Sequence, residues 1–497
     1  MTEPDENTRR SSPIAPRRRR DIGAWDIETD VVIAGYGCAG ASAAIGAATD
    51  GAEVVIVERT GGHGGASAMA GGEIYMGGGT AIQKACGFND TVEAMFAHLK
   101  GATGPAVDET RLALYCERSI EHFDWLVACG VPFKPSFYPI PCWEPPTDDG
   151  LVYTGGENAW PFNEIPNNSP RGHVPTMSDK RPGERSAGWM LMDRLSTTAN
   201  GLGVQSVVDT RVERLVTEDD GRVVGVVTRR YGEQQTIHAR RGVVLASGGF
   251  ASNPAMIRQY APALERHMPL GTDGDDGTSI RLGQGVGAAV RHMEAAQAAI
   301  SSTPGLLHRS MLVNIHGQRF INEDTYAGRI GQAALFTQNS GRGFVVLDDE
   351  VYESLTIDDH WGARPTWVCG SVEELEEEMG LPAGALQSSL DLYNRYAEVG
   401  QDPLFHKRAE YLKPLRAPFG AFDLREAPFQ IFTIGGLHTT VDSEVIGPDG
   451  DPIPGLYAAG RASSGIPNWG YLSGTSLGDG TFFGRRAGRA VAAHKVD

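Results

Sequence analysis

The chain has 497 residues, 41% of them hydrophobic and 8% aromatic, enough core for two or three domains or one large interrupted one, so it is not a disordered protein. Its formal net charge of −18 argues against nucleic acid as a partner. Six scattered cysteines form no CxxC pair, which leaves no sign of a metal site, a disulfide framework or an iron–sulfur cluster, and reduced thiols point to a cytoplasmic protein.

In chain order, the first feature is an arginine-rich start, Arg9, Arg10 and Arg17 to Arg20. It runs into Asp21-Ile22-Gly23-Ala24-Trp25-Asp26 rather than an apolar run, so a secretion signal is not indicated and residues 1–25 are predicted as a mobile tail. No apolar stretch approaches the roughly 18 residues of a membrane span. Asp30 to Ala34 reads as a short buried strand, followed by Gly35-Tyr36-Gly37-Cys38-Ala39-Gly40, a full G-x-G-x-x-G. A small-residue helix from Ala41 to Ala48 and a second strand, Val54 to Val57, end at Glu58, 18 residues after Gly40. Each part has a reason. The glycines allow a tight turn and backbone approach to a pyrophosphate, the helix N-terminus holds the anion, and the acid takes ribose hydroxyls. A second glycine-rich loop, Gly61 to Gly72, follows at once and suits the extended cofactor FAD rather than NAD. Farther on, Arg241 to Gly249 and Gly455 to Gly460 are strands that end in glycines. Between them, Val372 to Met379 and Leu386 to Tyr396 carry helical patterning.

These motifs, with Gly317-Gln318-Arg319-Phe320-Ile321-Asn322-Glu323 and Ile434-Gly435-Gly436-Leu437, stand in the order found in the flavoprotein family of fumarate reductase, succinate dehydrogenase and the 3-ketosteroid dehydrogenases. The chain resembles that family from Asp30 to its last helix. The resemblance implies FAD and an α/β fold: a Rossmann-like FAD-binding domain interrupted by an α+β capping domain. The expected division is 26–300 and 430–497 for the FAD domain and 301–429 for the cap. It also implies a cofactor site from Gly35, Gly37, Cys38, Ala39, Gly40, Glu58, Arg59, Gly65, Ala66, Ser67, Gly71, Gly72, Val212, Ala246, Gly248, Asp276, Gly460, Ser476 and Leu477. Relatives that bind FAD covalently use a histidine where this chain has Gly65, with His63 two residues away, so non-covalent FAD is expected.

The substrate side departs from the dicarboxylate enzymes. A dianion needs paired cationic donors. At the matching places this chain has Phe432, Tyr471 and Tyr352. Aromatic groups in place of cations describe an apolar, hydroxyl-bearing pocket. The turn Tyr471-Leu472-Ser473-Gly474, with Tyr326 three residues after Glu323, is most similar to the branch of 3-ketosteroid Δ4-(5α)-dehydrogenases. That resemblance assigns Tyr326, Tyr471 and Ser473 to catalysis, and Phe432, Gly474 and Tyr352 to substrate contact. It implies introduction of a 4,5 double bond into a 5α-reduced 3-ketosteroid, with electrons leaving to an external quinone or carrier. The alternatives are 1,2-desaturation of a 3-ketosteroid, reduction of an unsaturated acid, and a flavin-binding protein without turnover. Arg461 departs from the family, in which an acid often follows the AAG strand.

Overall fold

The computed structural model describes residues 10–494 apart from 141, 143, 178–186, 303, 339–342, 357–359 and 361. Its centre is a nine-stranded sheet. The fingerprint strand Ile27–Ala34 lies between Val54–Val57 and the long Glu233–Leu245, parallel to both. Pro452–Ala458 joins the same sheet beside Val243 to Leu245, so the chain returns to its first sheet near its C-terminal end. Where these strands pair, at Val31 to Ile33, Val54 to Val57 and Val243 to Leu245, they are continuous runs of Val, Ile and Leu because both faces are covered, as a parallel sheet requires.

One face is covered by two helices, Cys38–Thr49 and Thr475–Ala493, whose small residues let the backbones approach closely. A side chain at Gly484 or Gly488 would meet the backbone of Ala39 or Ala43, and one at Gly46 would meet that of Arg485. The alanine- and glycine-rich sequence of both helices follows from this contact.

Two smaller sheets lie outside the central one, and the first contributes Gln297, Ala299, Gln430 and Phe432 to the cavity. In the first, Gln430–Thr433 lies between Met268–Pro269 and Ala296–Ala299. The second has the order Met311–Val313, Phe344–Asp348, Phe419–Asp423, Trp367–Cys369, with the helices Val372–Met379 and Ala385–Ala397 nearby in sequence. A third small sheet, Ile74–Tyr75, Gly172–His173, Leu151–Val152 and Phe137–Tyr138, was not anticipated; its strands are two residues each, too short for an alternating pattern to show. No helix among the described residues is long and apolar enough to cross a membrane.

The expectation of a mobile tail is corrected for residues 10–25, whereas residues 1–9 lie outside the described residues. Arg17–Arg18 adds a parallel strand beside Val216 and Thr217. The Ile14 N–H donates to the Arg281 carbonyl at 2.9 Å. Ile22 is buried with Val216, Val224 and Val227, and Trp25 stacks on His238 with ring centres 5.0 Å apart. Two apolar anchors and an edge strand outweigh the arginine-rich composition that suggested solvation.

Candidate active site

A cavity of about 530 Å³ runs from the fingerprint turn to the C-terminal turn. At its first end Gly35 has φ +107° and lies so close to the Ala246 carbonyl and the Ser247 backbone that a side chain would collide. Gly40 carries no side chain because one would strike the Gly35 carbonyl; this third glycine packs helix against turn and does not line the cavity. Glu58 accepts the Tyr36 N–H at 2.8 Å and the Thr60 N–H at 2.9 Å, which ties the second strand to the fingerprint turn while its carboxylate faces the cavity. Ser67 Oγ accepts the Cys38 N–H at 3.1 Å, at the helix start where an anion is favoured. Arg59 and Arg211 converge on Asp276, at 3.0 and 2.9 Å.

The donor set fits an extended dinucleotide: a glycine turn without Cβ atoms, a helix N-terminus, an acid after the second strand, and a glycine loop beyond it. Deeper in, Gln297 Oε1 is buried without a protein hydrogen-bond partner, and the residue lines the cavity. Buried polar groups that lack a protein partner suit a ligand or ordered water.

The other end is built from the R-F-I-N-E motif and the C-terminal turn. Glu323 is fully buried, held by Arg319 at 2.7 Å, by Lys407 at 3.5 Å and by the Leu312 N–H at 3.0 Å. Its carboxyl is held below the usual range by Arg319 and Lys407, against a burial effect that acts upward. This network fixes the segment that carries Tyr326. The turn Asn468 to Gly474 is clamped from both sides. The Trp469 and Gly470 N–H groups donate to the Thr103 carbonyl, and the Tyr75 N–H donates to the Gly474 carbonyl at 3.0 Å. Gly474, at φ +93°, starts the last helix.

This clamping brings three hydroxyls together at the cavity wall. Tyr326 Oη lies 3.0 Å from Ser473 Oγ, and either atom is able to donate. Tyr471 packs beside them, its ring edge-to-face with Phe432 at 4.9 Å. Both tyrosines are 8% exposed. Burial pushes the Tyr326 hydroxyl well above its ordinary value, and neighbouring Tyr471 adds to the rise. Burial also raises Tyr471, offset in part by Ser476.

Of the sequence-predicted residues, the cavity gathers Gly35, Gly37, Cys38, Ala39, Glu58, Arg59, Gly65, Ala66, Ser67, Gly71, Val212, Ala246, Gly248, Asp276, Gly460, Ser476 and Leu477, together with Tyr326, Phe432, Tyr471, Ser473 and Gly474. Gly72 is outside it and packs on Ala187 and Gly188. Tyr352 is corrected. It lies on the short helix Asp349–Glu353 after a strand of the four-stranded sheet, its ring against His360 at 5.4 Å, and does not reach the cavity. The match that suggested it aligned a strand end rather than a site. His63 pairs with Ser196 Oγ at 3.2 Å and does not line the cavity.

Sequence reading missed Glu73, Glu144, Asp275 and Gln297 as cavity residues. Gln297 alone left a trace, as one polar residue in the run Ala295-Ala296-Gln297-Ala298-Ala299. Arg461, noted as a departure, pairs with Asp275 at 2.8 Å and stands 5.2 Å from the Phe432 ring centre. Among the described residues, the three arginines that line the cavity are therefore paired with Asp275 or Asp276.

A dinucleotide cleft at one end and clustered hydroxyls at the other define a flavoprotein oxidoreductase, and residues 30–477 match the family model described as FAD binding domain, so the chain belongs to that flavoprotein family. Among solved structures it is similar to the 3-ketosteroid-Δ4-(5α)-dehydrogenase of Rhodococcus jostii RHA1 in complex with 4-androstene-3,17-dione. The two are 52% identical with a TM-score of 0.92, covering 96% of this chain and 100% of the other. It is 28% identical to the 3-oxo-5-alpha-steroid 4-dehydrogenase of Comamonas testosteroni, over 88% of this chain and 94% of that protein. A probable fumarate reductase of Shewanella frigidimarina is 26% identical, over 94% and 76%.

Proposed function

We propose that this protein is an FAD-dependent dehydrogenase that introduces the 4,5 double bond into a 5α-reduced 3-ketosteroid. The observation that carries this reading is the Tyr326–Ser473 hydrogen bond beside Tyr471, at the end of the cavity away from the fingerprint turn. The relatives named for that reaction support it. We take FAD as non-covalently bound, because Gly65 stands at the position of attachment and His63 is engaged with Ser196. We take residues 301–429 as the cap over the steroid. The electron acceptor is an external quinone or carrier.

When bound, FAD supplies the hydride acceptor. The chain's residues handle the proton and the developing charge. Ser473 and Tyr326 share a hydrogen bond, so a proton taken from C4 by Ser473 Oγ is passed on as the serine's own proton moves to Tyr326 Oη. Tyr471 is placed apart from that bond, against Phe432, and is suited to donate to the C3 carbonyl oxygen as it gains negative charge. Burial raises the Tyr471 hydroxyl, so it stays in the protonated form that donates. A dicarboxylate finds no free arginine at the cavity wall among the described residues.

Anaerobic mixing with a 5α-reduced 3-ketosteroid tests the reading. Flavin absorbance is expected to bleach, and the product to carry a 4,5 double bond. A 1,2 double bond would transfer the assignment to the related desaturation, and no bleaching would reject a steroid dehydrogenase. Acid precipitation is expected to leave yellow flavin in the supernatant; flavin in the pellet would mean covalent attachment.

A further inference from the structure

The strand Ala296–Ala299 places one polar side chain, Gln297, in a stretch that is otherwise alanine. Gln297 is 2% exposed and lines the cavity. Its Nε2 donates to Tyr326 Oη at 3.3 Å. Gly328 makes room for this contact, because a side chain there would strike both the Gln297 amide and the Tyr326 ring. Across the strand pair, Gln297 stands opposite Phe432, the residue against which Tyr471 packs. One rung of this small sheet therefore touches both tyrosines.

We propose that Gln297 is a positioning residue for the Tyr326–Ser473 pair, holding the tyrosine oxygen with an N–H that binds its ionised form most strongly. This rests on the reading that the pair removes the C4 proton. In that step the C4–H bond breaks, its electrons stay on the steroid, the proton goes to Ser473 Oγ, and the serine's own proton goes to Tyr326 Oη. The receiving form of Tyr326 is thus the phenolate. A donor to the charged form favours it. Ser473, through its hydroxyl and its backbone N–H, and Gln297 supply donors that oppose the burial that disfavours ionisation. The charged and titratable groups around Tyr326 are Tyr471 from the C-terminal turn and Glu73 beside the strand Ile74–Tyr75, both of which oppose its ionisation. Arg461 lies behind Phe432, paired with Asp275, and Arg329 on the following helix turns to Phe162. Gln297 is therefore a neutral group with a specific task.

Two substitutions separate this task from simple packing. Gln297→Met keeps the volume and removes the donor. Gln297→Glu keeps the shape and places an acceptor and a negative charge on the phenol. The first measurement uses the FAD-loaded protein without steroid, with 3,5-difluorotyrosine at position 326 followed by fluorine NMR against pH. Gln297→Met is expected to raise the ionisation midpoint by about one pH unit, the equivalent of one hydrogen bond, and Gln297→Glu by more. Unchanged midpoints in both variants would overturn the proposal.

The second measurement is anaerobic flavin reduction by a 5α-reduced 3-ketosteroid, with FAD content as the folding control. Gln297→Met is expected to slow reduction about tenfold with steroid affinity retained. The deficit of Gln297→Glu is expected to grow as pH rises through the titration of the new carboxyl. A Gln297→Glu rate equal to wild type across pH would show that the amide accepts through Oε1, and the proposal would fall. If steroid fails to reduce the wild type, the functional reading falls alone, because the fluorine titration still decides the role of Gln297.

Discussion

At the scale of single residues, the proposed reading divides the three hydroxyls into two roles, and the division has measurable consequences. Tyr471→Phe removes one oxygen and keeps the ring that packs on Phe432. Groups that move or hold a proton contribute about 10²- to 10⁴-fold, so flavin reduction is expected to fall by that factor with FAD retained. Near wild-type reduction would return Tyr471 to a packing role. Ser473→Ala and Tyr326→Phe break the same 3.0 Å bond, so each single loss is expected to approach that of the double variant, whereas Tyr471→Phe combines more nearly additively with either. Additive losses for Ser473 and Tyr326 would separate them. The pH profile has a definite sign. The proton-receiving group acts when deprotonated, and burial lifts the Tyr326 hydroxyl well above its ordinary value. The active fraction therefore increases with pH throughout the range below that raised value, and stopped-flow reduction is expected to accelerate steadily from neutral to alkaline pH. A rate that falls over that range would remove Tyr326 as the acceptor.

The scale of elements shows which parts of the chain were legible in advance. The fingerprint strand, turn and helix were readable because every step of that unit has a local reason: Gly35 for its positive φ, Gly40 for helix packing, and Glu58 for closing the turn. The helices Val372–Met379 and Ala385–Ala397 were readable from periodicity. Motifs singled out Tyr326, Tyr471 and Ser473, and tertiary structure brings Tyr326 and Ser473 into contact across 147 residues of sequence. Gln297 lay beyond the sequence because its role depends on the space at Gly328 and on its rung with Phe432. The N-terminal strap was misread because a two-residue strand has no pattern.

That strap leads to a prediction of its own. Asn253 Nδ2 donates both to the Arg10 carbonyl at 3.0 Å and to the carbonyl of cavity residue Asp276 at 2.8 Å. Arg281 Nε donates to the Ser12 carbonyl at 2.8 Å. Deleting residues 1–18 removes these acceptors beside the loop that meets Arg59 and Arg211. Each hydrogen bond is worth about 1 kcal/mol, and 1.4 kcal/mol is tenfold in affinity. The FAD dissociation constant, followed by recovery of flavin fluorescence on dilution, is expected to rise about tenfold. Unchanged FAD affinity with unchanged thermal stability would mean that the strap carries no load at this site.

For the whole molecule, local and global electrostatics point the same way. The formal charge of −18 disfavours the approach of dianions. Inside the cavity, Arg59, Arg211 and Arg461 are paired with Asp275 and Asp276, and Phe432 and Tyr471 form an aromatic wall. A neutral ketone avoids both penalties. Leaving a desolvated charge without its partner costs about 2–5 kcal/mol, a factor of about 30 to several thousand. Reduced enzyme offered fumarate is therefore expected to reoxidise at least about 30-fold more slowly, in kcat/KM, than oxidised enzyme is reduced by a 5α-reduced 3-ketosteroid. The two sources of discrimination separate by salt. Raising the ionic strength screens the long-range field but leaves the paired arginines and aromatic wall in place. Fumarate turnover is then expected to remain low at high salt, while steroid turnover stays constant. Fumarate turnover that rises to the steroid level with salt would place the discrimination in net charge alone and remove the argument from the aromatic wall.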